Sequence, residues 1–103
     1  MQKVVEPRID AETLMKVAEI LKTIAHPVRL SILEMLDAHK QLTVSELKEG
    51  TGIEQSLLSH HLIKMKDKGV LTSTRNGKNS YYELADTHLV KIFDCMQNCS
   101  LVS

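Results

Sequence analysis

One stretch of the chain carries short hydrogen-bonding side chains at helical spacing, with little acid among them. Between about Glu54 and Lys68, one apolar stripe is formed by Leu58, Leu62 and Met65. The outer and flanking positions are Gln55, Ser56, Ser59, His60 and Lys64, with Ile63 among them. Hydroxyl, amide and imidazole groups hydrogen-bond to base edges, and lysine pairs with phosphate. This face therefore predicts contact with a nucleic acid.

The distribution of charge supports this prediction, although the chain of 103 residues has a net charge of zero. The net charge is −2 over residues 1–54, +4 over residues 55–78 and −2 over residues 79–103. A local basic patch is what phosphate contact requires, and the overall charge is a poor guide to it. Charge alone leaves open a second interpretation, in which this block is only a solvated, lysine-rich end of a helix.

A second helix and a short turn precede this face. Thr43-Val-Ser-Glu46 has the spacing of a capping box, in which the threonine hydroxyl and the glutamate carboxylate satisfy each other's backbone N–H groups. Gly50-Thr51-Gly52 then predicts a turn between the two helices. Two helices joined in this way form a helix-turn-helix, whose second helix enters the major groove of DNA. We expect that second helix at about residues 54–68.

A hairpin is predicted directly after the polar helix, at about residues 71–84. Asn76-Gly77 is the strongest two-residue signal for a hairpin turn, because both positions of a type I′ turn need a positive φ. Arg75 and Lys78 flank the predicted tip, where they would contact a phosphate or the minor groove. The predicted fold is therefore mainly α with a small β-hairpin, a winged helix-turn-helix of order α-α-α-α-β-β-α.

The remaining helices are predicted at about residues 11–24 and 87–100, with Asp10 and Asp86 as N-caps, and from His26-Pro27 onward. The first helix has an apolar stripe of Leu14, Val17, Ala18 and Leu21, and Met15 and Ile20 lie off that stripe. A helix with more than one apolar face needs a second partner surface. We therefore expect the first helix to pack partly across a subunit interface.

Three stretches resemble the ArsR family of bacterial winged-helix repressors, and together the resemblance covers roughly residues 12–95. Leu21-Lys-Thr-Ile-Ala-His-Pro-Val-Arg-Leu-Ser-Ile-Leu33 is similar to the family signature L-x-x-x-A-x-P-x-R-L-x-I-L. Ser59-His-His-Leu62 resembles the signature S-x-H-L, and Lys68-Gly-Val-Leu71 with Arg75-Asn-Gly-Lys78 resembles the helix end and wing. The resemblance implies a homodimer held by its first and last helices, which binds an imperfect palindromic operator near its own promoter and represses transcription.

The resemblance also implies roles for individual positions. Gln55, Ser56, Ser59 and His60 match the family's DNA-reading residues, Lys64 lies on the same face, and Arg75 and Lys78 match its wing contacts. The chain departs from the pattern at Glu54, where the family usually has serine or threonine as the helix cap. Because glutamate caps poorly and its charge would face phosphates, we expect Glu54 to alter the local geometry.

Many members of this family are released from DNA by a metal or a thiol-reactive effector. One of their metal sites has Asp-x-His, ten residues and then His-x-x-His or Glu; here Asp86-Thr-His88 is followed eleven residues on by Cys99. On a continuous helix, His88 and Cys99 share a face but lie about 16 Å apart. A Zn(II) or other transition-metal site of Asp86, His88 and Cys99 would therefore be shared between two antiparallel protomers, with Cys95 or water as a further ligand.

The two cysteines leave other interpretations open. Cys95 and Cys99 are either thiols that sense oxidants or small apolar side chains that fill a dimer seam. With two cysteines, no apolar run long enough for a membrane span and a polar N-terminal segment, the sequence predicts a cytoplasmic location.

Other function classes find less support in the sequence. No nucleophile–base pair, phosphate-cradling glycine loop or pair of carboxylates indicates an enzyme. A winged-helix module that binds another protein instead of DNA is the remaining alternative, and it would predict an acidic or apolar face where Ser56, Ser59, His60 and Lys64 occur. We expect a single domain over residues 1–103.

Overall fold

The chain folds into five α-helices, a short 3-10 helix and a three-stranded sheet within the described part. The computed structural model describes residues 4–102. Its elements in order are α1 (Ala11–Ile24), α2 (Pro27–Ala38), β1 (Leu42–Thr43), α3 (Val44–Thr51), α4 (Gln55–Asp67), β2 (Leu71–Asn76), β3 (Asn79–Leu84), a 3-10 helix (Thr87–Val90) and α5 (Lys91–Gln97). The predicted fold class is confirmed. No helix within residues 4–102 has the length and apolar character needed to cross a membrane.

The first two helices begin where their capping residues predict. The Asp10 carboxylate accepts a hydrogen bond from the Thr13 N–H at 2.7 Å, and so satisfies a backbone donor of the first turn of α1. Pro27 occupies the start of α2, where its missing N–H costs no helical hydrogen bond. His26 caps that helix, because its Nδ1 accepts from the Val28 N–H at 3.1 Å.

Helix α3 begins with the predicted capping box. The Thr43 hydroxyl accepts from the Glu46 N–H at 3.1 Å, and the Glu46 carboxylate accepts from the Thr43 N–H at 2.9 Å. The Thr43 N–H and the Thr43 hydroxyl both donate to the Glu46 carboxylate, and these two hydrogen bonds hold the pKa of Glu46 below its usual value. The helix ends at Gly52, whose φ of +70° is a left-handed conformation that glycine adopts without strain. Helix α3 is thereby fixed at both ends.

The core lies among α2, α3, α4 and the base of the hairpin, and it is aliphatic. Its buried side chains are Ile24, Ile32, Leu33, Leu36, Leu42, Leu47, Leu58, Leu62, Met65, Val70, Leu71 and Val90. The predicted inner stripe of α4, Leu58, Leu62 and Met65, is fully buried. His61 also points inward and is 5% exposed.

The sheet differs from the predicted hairpin in two respects. A third strand, β1, pairs antiparallel with β3, through Leu42 opposite Tyr82 and Thr43 opposite Tyr81, so the strand order is β1-β3-β2. The prediction that Asn76-Gly77 forms the turn is wrong by one residue, because Asn76 pairs with Asn79. The two turn residues are Gly77 and Lys78; Gly77 has φ +66°, and no non-glycine residue within 4–102 has a positive φ. Glycine at the first central position is the requirement of a type II′ turn.

The last helix also differs from its prediction. Asp86 is the N-cap as expected, and its carboxylate accepts from the His88 N–H at 2.8 Å. However, the helix expected over 87–100 is divided into the 3-10 helix and α5, and α5 ends at Gln97. A 3-10 helix has 3.0 residues per turn, and Cys99 lies beyond α5. The expectation that His88 and Cys99 share one face of a continuous α-helix is therefore wrong.

The capping box gives a test of local stability. We expect Thr43→Ala to lower the free energy of unfolding by about 1 kcal/mol, because the first turn of α3 loses its hydroxyl acceptor. Thr43→Ser keeps the hydroxyl and is the matched control. Urea unfolding followed by circular dichroism measures both variants, and equal stabilities of the two would contradict the role assigned to the hydroxyl.

Candidate nucleic-acid interface

The outer face of α4 is the candidate interface, and burial of the opposite face determines which side chains it presents. Because Leu58, Leu62 and Met65 are fully buried, the helix cannot rotate without exposing them. Of the polar residues predicted on this face, Gln55, Ser56, His60 and Lys64 are exposed, and Lys66 and Asp67 are exposed near the end of the helix as well. Ser59, the fifth residue expected on this face, is half-buried at its edge. The structure thus brings four of the five predicted α4 residues to the surface of one helix.

Two apolar side chains share this surface. Ile63, which the periodicity placed on the outer face, is 54% exposed, and Leu57 is 49% exposed. The periodicity placed Leu57 on neither face of the helix, because its position lies between the buried stripe and the polar face. Exposed aliphatic groups on a DNA-facing helix contact thymine methyl groups in the major groove.

The N-terminus of α4 departs from the expectation for Glu54. Glutamate was expected to cap poorly, yet the Glu54 carboxylate accepts from the Ser56 N–H at 3.1 Å and from the Ser56 hydroxyl at 2.7 Å. The Ser56 hydroxyl, the Ser56 N–H and the nearby Lys48 together hold the pKa of Glu54 below its usual value. Glu54 therefore remains charged and acts as the cap. Ser56, which was expected to face DNA, donates its hydroxyl to Glu54.

Basic residues surround this helix and the hairpin tip. Lys64 and Lys66 are exposed on the last turns of α4, and Lys68 follows as its C-cap. Lys68 also forms an ion pair with another helix, since its ammonium group lies 3.5 Å from the Glu19 carboxylate of α1. Arg75 near the end of β2 and Lys78 in the turn are both exposed, as predicted for a wing.

The predicted effector residues lie at the 3-10 helix, on α5 and just after it. The Asp86 carboxylate lies 2.8 Å from His88 Nδ1, and both side chains are exposed. Hydrogen bonds from His88 lower the pKa of Asp86. Cys95 is exposed and Cys99 is half-buried. Within one protomer, no group of three metal-ligating side chains is found among residues 4–102. The predicted site of Asp86, His88 and Cys99 is shared between two protomers, so it stays a prediction, as does redox sensing by Cys95 or Cys99.

An apolar groove runs between α1 and α5 beside these residues. Its lining includes Val17, Ile20, Leu21, Leu89, Ile92 and Met96. Several of these side chains are far from buried: Leu21 is 47% and Met96 is 49% exposed. Met15 of α1 is 71% exposed outside the groove. The two helices expected to form a subunit interface therefore present apolar surface in the single protomer.

One contact to α4 was not predicted from the sequence. Arg29, in the first turn of α2, donates through Nε to His61 Nδ1 at 3.1 Å. The same guanidinium donates through Nη1 to the Thr23 carbonyl of α1 at 2.7 Å. Arg29 lies three and four residues before the buried Ile32 and Leu33, and an arginine on the buried face of a helix is the signal that could have indicated a buried acceptor.

The chain is similar to known proteins over this fold and this face. The profile of a helix-turn-helix domain family matches residues 24–74. The HTH-type transcriptional regulator NmtR of Mycobacterium tuberculosis is 36% identical over 86 residues, which are 84% of this chain and 71% of that protein. The transcriptional repressor PagR of Bacillus anthracis is 41% identical over 80 residues, which are 78% of this chain and 80% of PagR.

Solved structures agree with these sequence relationships. The crystal structure of PagR superimposes with a TM-score of 0.75 at 37% identity, and covers 84% of this chain and 99% of that one. A homodimeric winged helix-turn-helix DNA-binding domain from Mycobacterium bovis, described as a possible ArsR-family transcriptional regulator, superimposes with a TM-score of 0.72 at 26% identity, over 92% of this chain and 87% of that one. On its fold, its polar helix face and these relatives, the chain belongs to the ArsR family of winged helix-turn-helix transcriptional regulators.

Proposed function

We propose that the protein is a homodimeric repressor that reads an imperfect palindromic operator with the outer face of α4. The observation that carries this proposal is the combination of a fully buried inner face and an exposed polar outer face on α4. In this arrangement Gln55, Ser56, Ser59 and His60 lie toward base edges, and Lys64 lies toward phosphate. PagR, a relative of this chain, is named a transcriptional repressor, which supports repression as the outcome.

The hairpin supplies the second contact in this proposal. Arg75 and Lys78 extend from the sheet at the turn end, where they meet the DNA backbone or minor groove beside the groove that α4 occupies. Contacts with the backbone add affinity and carry no base information of their own, because phosphates are the same at every step of the duplex. Lys66, which the sequence analysis did not assign, lies exposed on α4 and adds to the same positive surface.

A second copy of this chain is the proposed occupant of the α1–α5 groove. The groove is open and apolar in the protomer, and Met15, Leu21 and Met96 leave much of their surface in water. The Mycobacterium bovis neighbour, which has the same fold, is described as homodimeric. A two-fold dimer places two copies of α4 about one turn of DNA, roughly 34 Å, apart, and so explains why a palindromic operator would be recognised.

His60 gives the test of base reading. We expect His60→Ala to weaken binding to DNA from upstream of its own gene by about 1–3 kcal/mol relative to unrelated DNA, because one base contact is lost. Ser45→Ala, an exposed change on α3, is the matched control. Fluorescence-anisotropy titrations with both DNAs measure the ratio, and an unchanged ratio for His60→Ala would remove this side chain from the readout.

Arg75 gives the test of the wing. Arg75→Ala is expected to weaken binding to all DNA and to reduce the slope of log K against log salt by roughly 0.9, the contribution of one neutralised phosphate. Lys40→Ala is the matched control. It removes the same charge beside Leu84, at the end of the hairpin opposite the turn, and should leave the salt slope unchanged. Equal slopes for all three proteins would show that the wing does not meet phosphate.

Leu21 gives the test of the dimer. Leu21→Lys places a charge inside the proposed interface in both copies, and a buried charge without a partner costs several kcal/mol. We expect the dimer dissociation constant to rise more than about 100-fold, since each tenfold is about 1.4 kcal/mol. Gln41→Lys adds the same charge at an exposed position away from the groove. Analytical ultracentrifugation of both variants decides the matter, and an unchanged dimer in Leu21→Lys would exclude this surface.

A further inference from the structure

Arg29 joins three helices at one corner of the domain. It lies in the first turn of α2, donates through Nη1 to the Thr23 carbonyl near the end of α1, and donates through Nε to His61 of α4. The Thr23 carbonyl belongs to the last turn of α1, where carbonyl groups lack helical partners. His61 is 5% exposed and Thr23 is 7% exposed. The guanidinium therefore joins α4 to α1 through partly buried hydrogen bonds.

The hydrogen bond to His61 specifies the protonation state of its ring. A guanidinium has five N–H donors and no acceptor, so His61 Nδ1 must offer a lone pair. The imidazole is therefore neutral, with its single ring proton on Nε2. Adding a proton to Nδ1 would leave two donors facing each other at 3.1 Å and would place a second positive charge beside Arg29.

The surroundings of His61 contain no charge that would offset such a proton. The His26 ring lies 4.6 Å from the His61 ring, centroid to centroid, and the His60 ring lies 6.0 Å away. Within residues 4–102, the titratable groups that influence His61 are His26, Arg29 and His60, and none of them is a carboxylate. The other elements packed on α4, namely α1, α3 and β2, contribute none. Glu19 of α1 is instead paired with Lys68 at the end of α4.

We propose that Arg29 and His61 form a pH-sensitive positioning contact that holds α4 at its angle to α1, so that protonation of His61 weakens operator binding. The inference rests on the proposed function, because it requires α4 to read DNA and α1 to belong to the dimer. The position of α4 relative to α1 within each protomer then sets the distance between the two copies of α4 in the dimer. A change in that distance weakens the fit of α4 to both half-sites of the operator.

The direction of the pH effect follows from the burial of the ring. Burial, and after it the neighbouring His26, Arg29 and His60, lower the pKa of His61 from its ordinary value of 6.5. The unfolded chain therefore binds this proton more readily than the folded one. The contribution of the neutral ring to stability is complete above a pH of about 6.5, and it is lost as the pH falls through that value and through the lower pKa of the folded state.

His60 acts in the opposite direction and has to be separated from His61. It is exposed on the outer face of α4, where any positive charge would attract phosphate. The two histidines are adjacent in sequence but differ in burial, so the same substitution at each gives a matched pair. Asparagine suits both positions, because its side-chain oxygen takes the place of Nδ1 as an acceptor and does not titrate.

The experiment compares DNA binding by the unaltered protein, His61→Asn and His60→Asn at about pH 7.5 and about pH 5.5, at constant salt. We expect the unaltered protein to bind about tenfold more weakly at the lower pH, the effect of losing one charge-assisted hydrogen bond. His61→Asn should bind within a few-fold of the unaltered protein at the higher pH and should lose most of the acid weakening. His60→Asn should retain that weakening or show more of it.

Identical pH responses of the unaltered protein and His61→Asn would overturn the inference, while binding at the higher pH would leave the proposed function standing. Failure of the unaltered protein to bind operator DNA at the higher pH would instead overturn the proposed function and this inference with it. Nitrogen-15 NMR of the histidine rings tests the same contact without substitution. We expect the neutral Nε2–H form of His61 at about pH 7.5; a ring already protonated there contradicts the inference.

Discussion

Burial of one face of α4 is the constraint on which the rest of the structure depends. Three long side chains at helical spacing, Leu58, Leu62 and Met65, are completely removed from water. Rotating or withdrawing the helix would expose them, and each buried side chain of this size contributes about 1.5–3 kcal/mol. The polar face is therefore held outward by the core behind it. Helix α4 is held in this position by the elements on either side of it. These are the capping box of α3, the turn at Gly52 and the strand that begins at Leu71.

The features that the sequence predicted correctly are local ones. Asp10, Pro27 and Thr43 mark helix starts through hydrogen bonds or ring geometry within three residues, so no knowledge of distant contacts is required. The inner stripe of α4 is similarly a matter of spacing. From these signals the helix-turn-helix and four exposed residues of its candidate interface follow directly.

The features that it did not predict depend on partners distant in sequence. Strand β1 has only two residues, and it exists because Leu42 and Thr43 meet Tyr82 and Tyr81 of β3. The turn consists of Gly77 and Lys78 rather than Asn76 and Gly77, because Asn76 pairs with Asn79 across the hairpin. Contacts between the strands decide this register, and the preference of single residues for turns does not. The contact of Arg29 with His61 joins residues 32 positions apart, and neither residue type alone identifies the other. The break before α5 likewise follows its packing, since Val90 enters the core while α5 has no fully buried residue.

The cap at Glu54 has an electrostatic consequence for how this helix meets DNA. The aligned peptide dipoles of an α-helix place a partial positive charge of roughly half an elementary unit at its N-terminus, which often makes that end a phosphate-binding site. In α4 the end is already occupied by an ionised side chain of the chain itself, which takes the Ser56 N–H as well as its hydroxyl. The macrodipole of this helix is thus compensated internally. Under the proposed function, attraction to the DNA backbone would then come from discrete cations near the other end of α4 and on the hairpin, and the first turn would be left for contacts with bases.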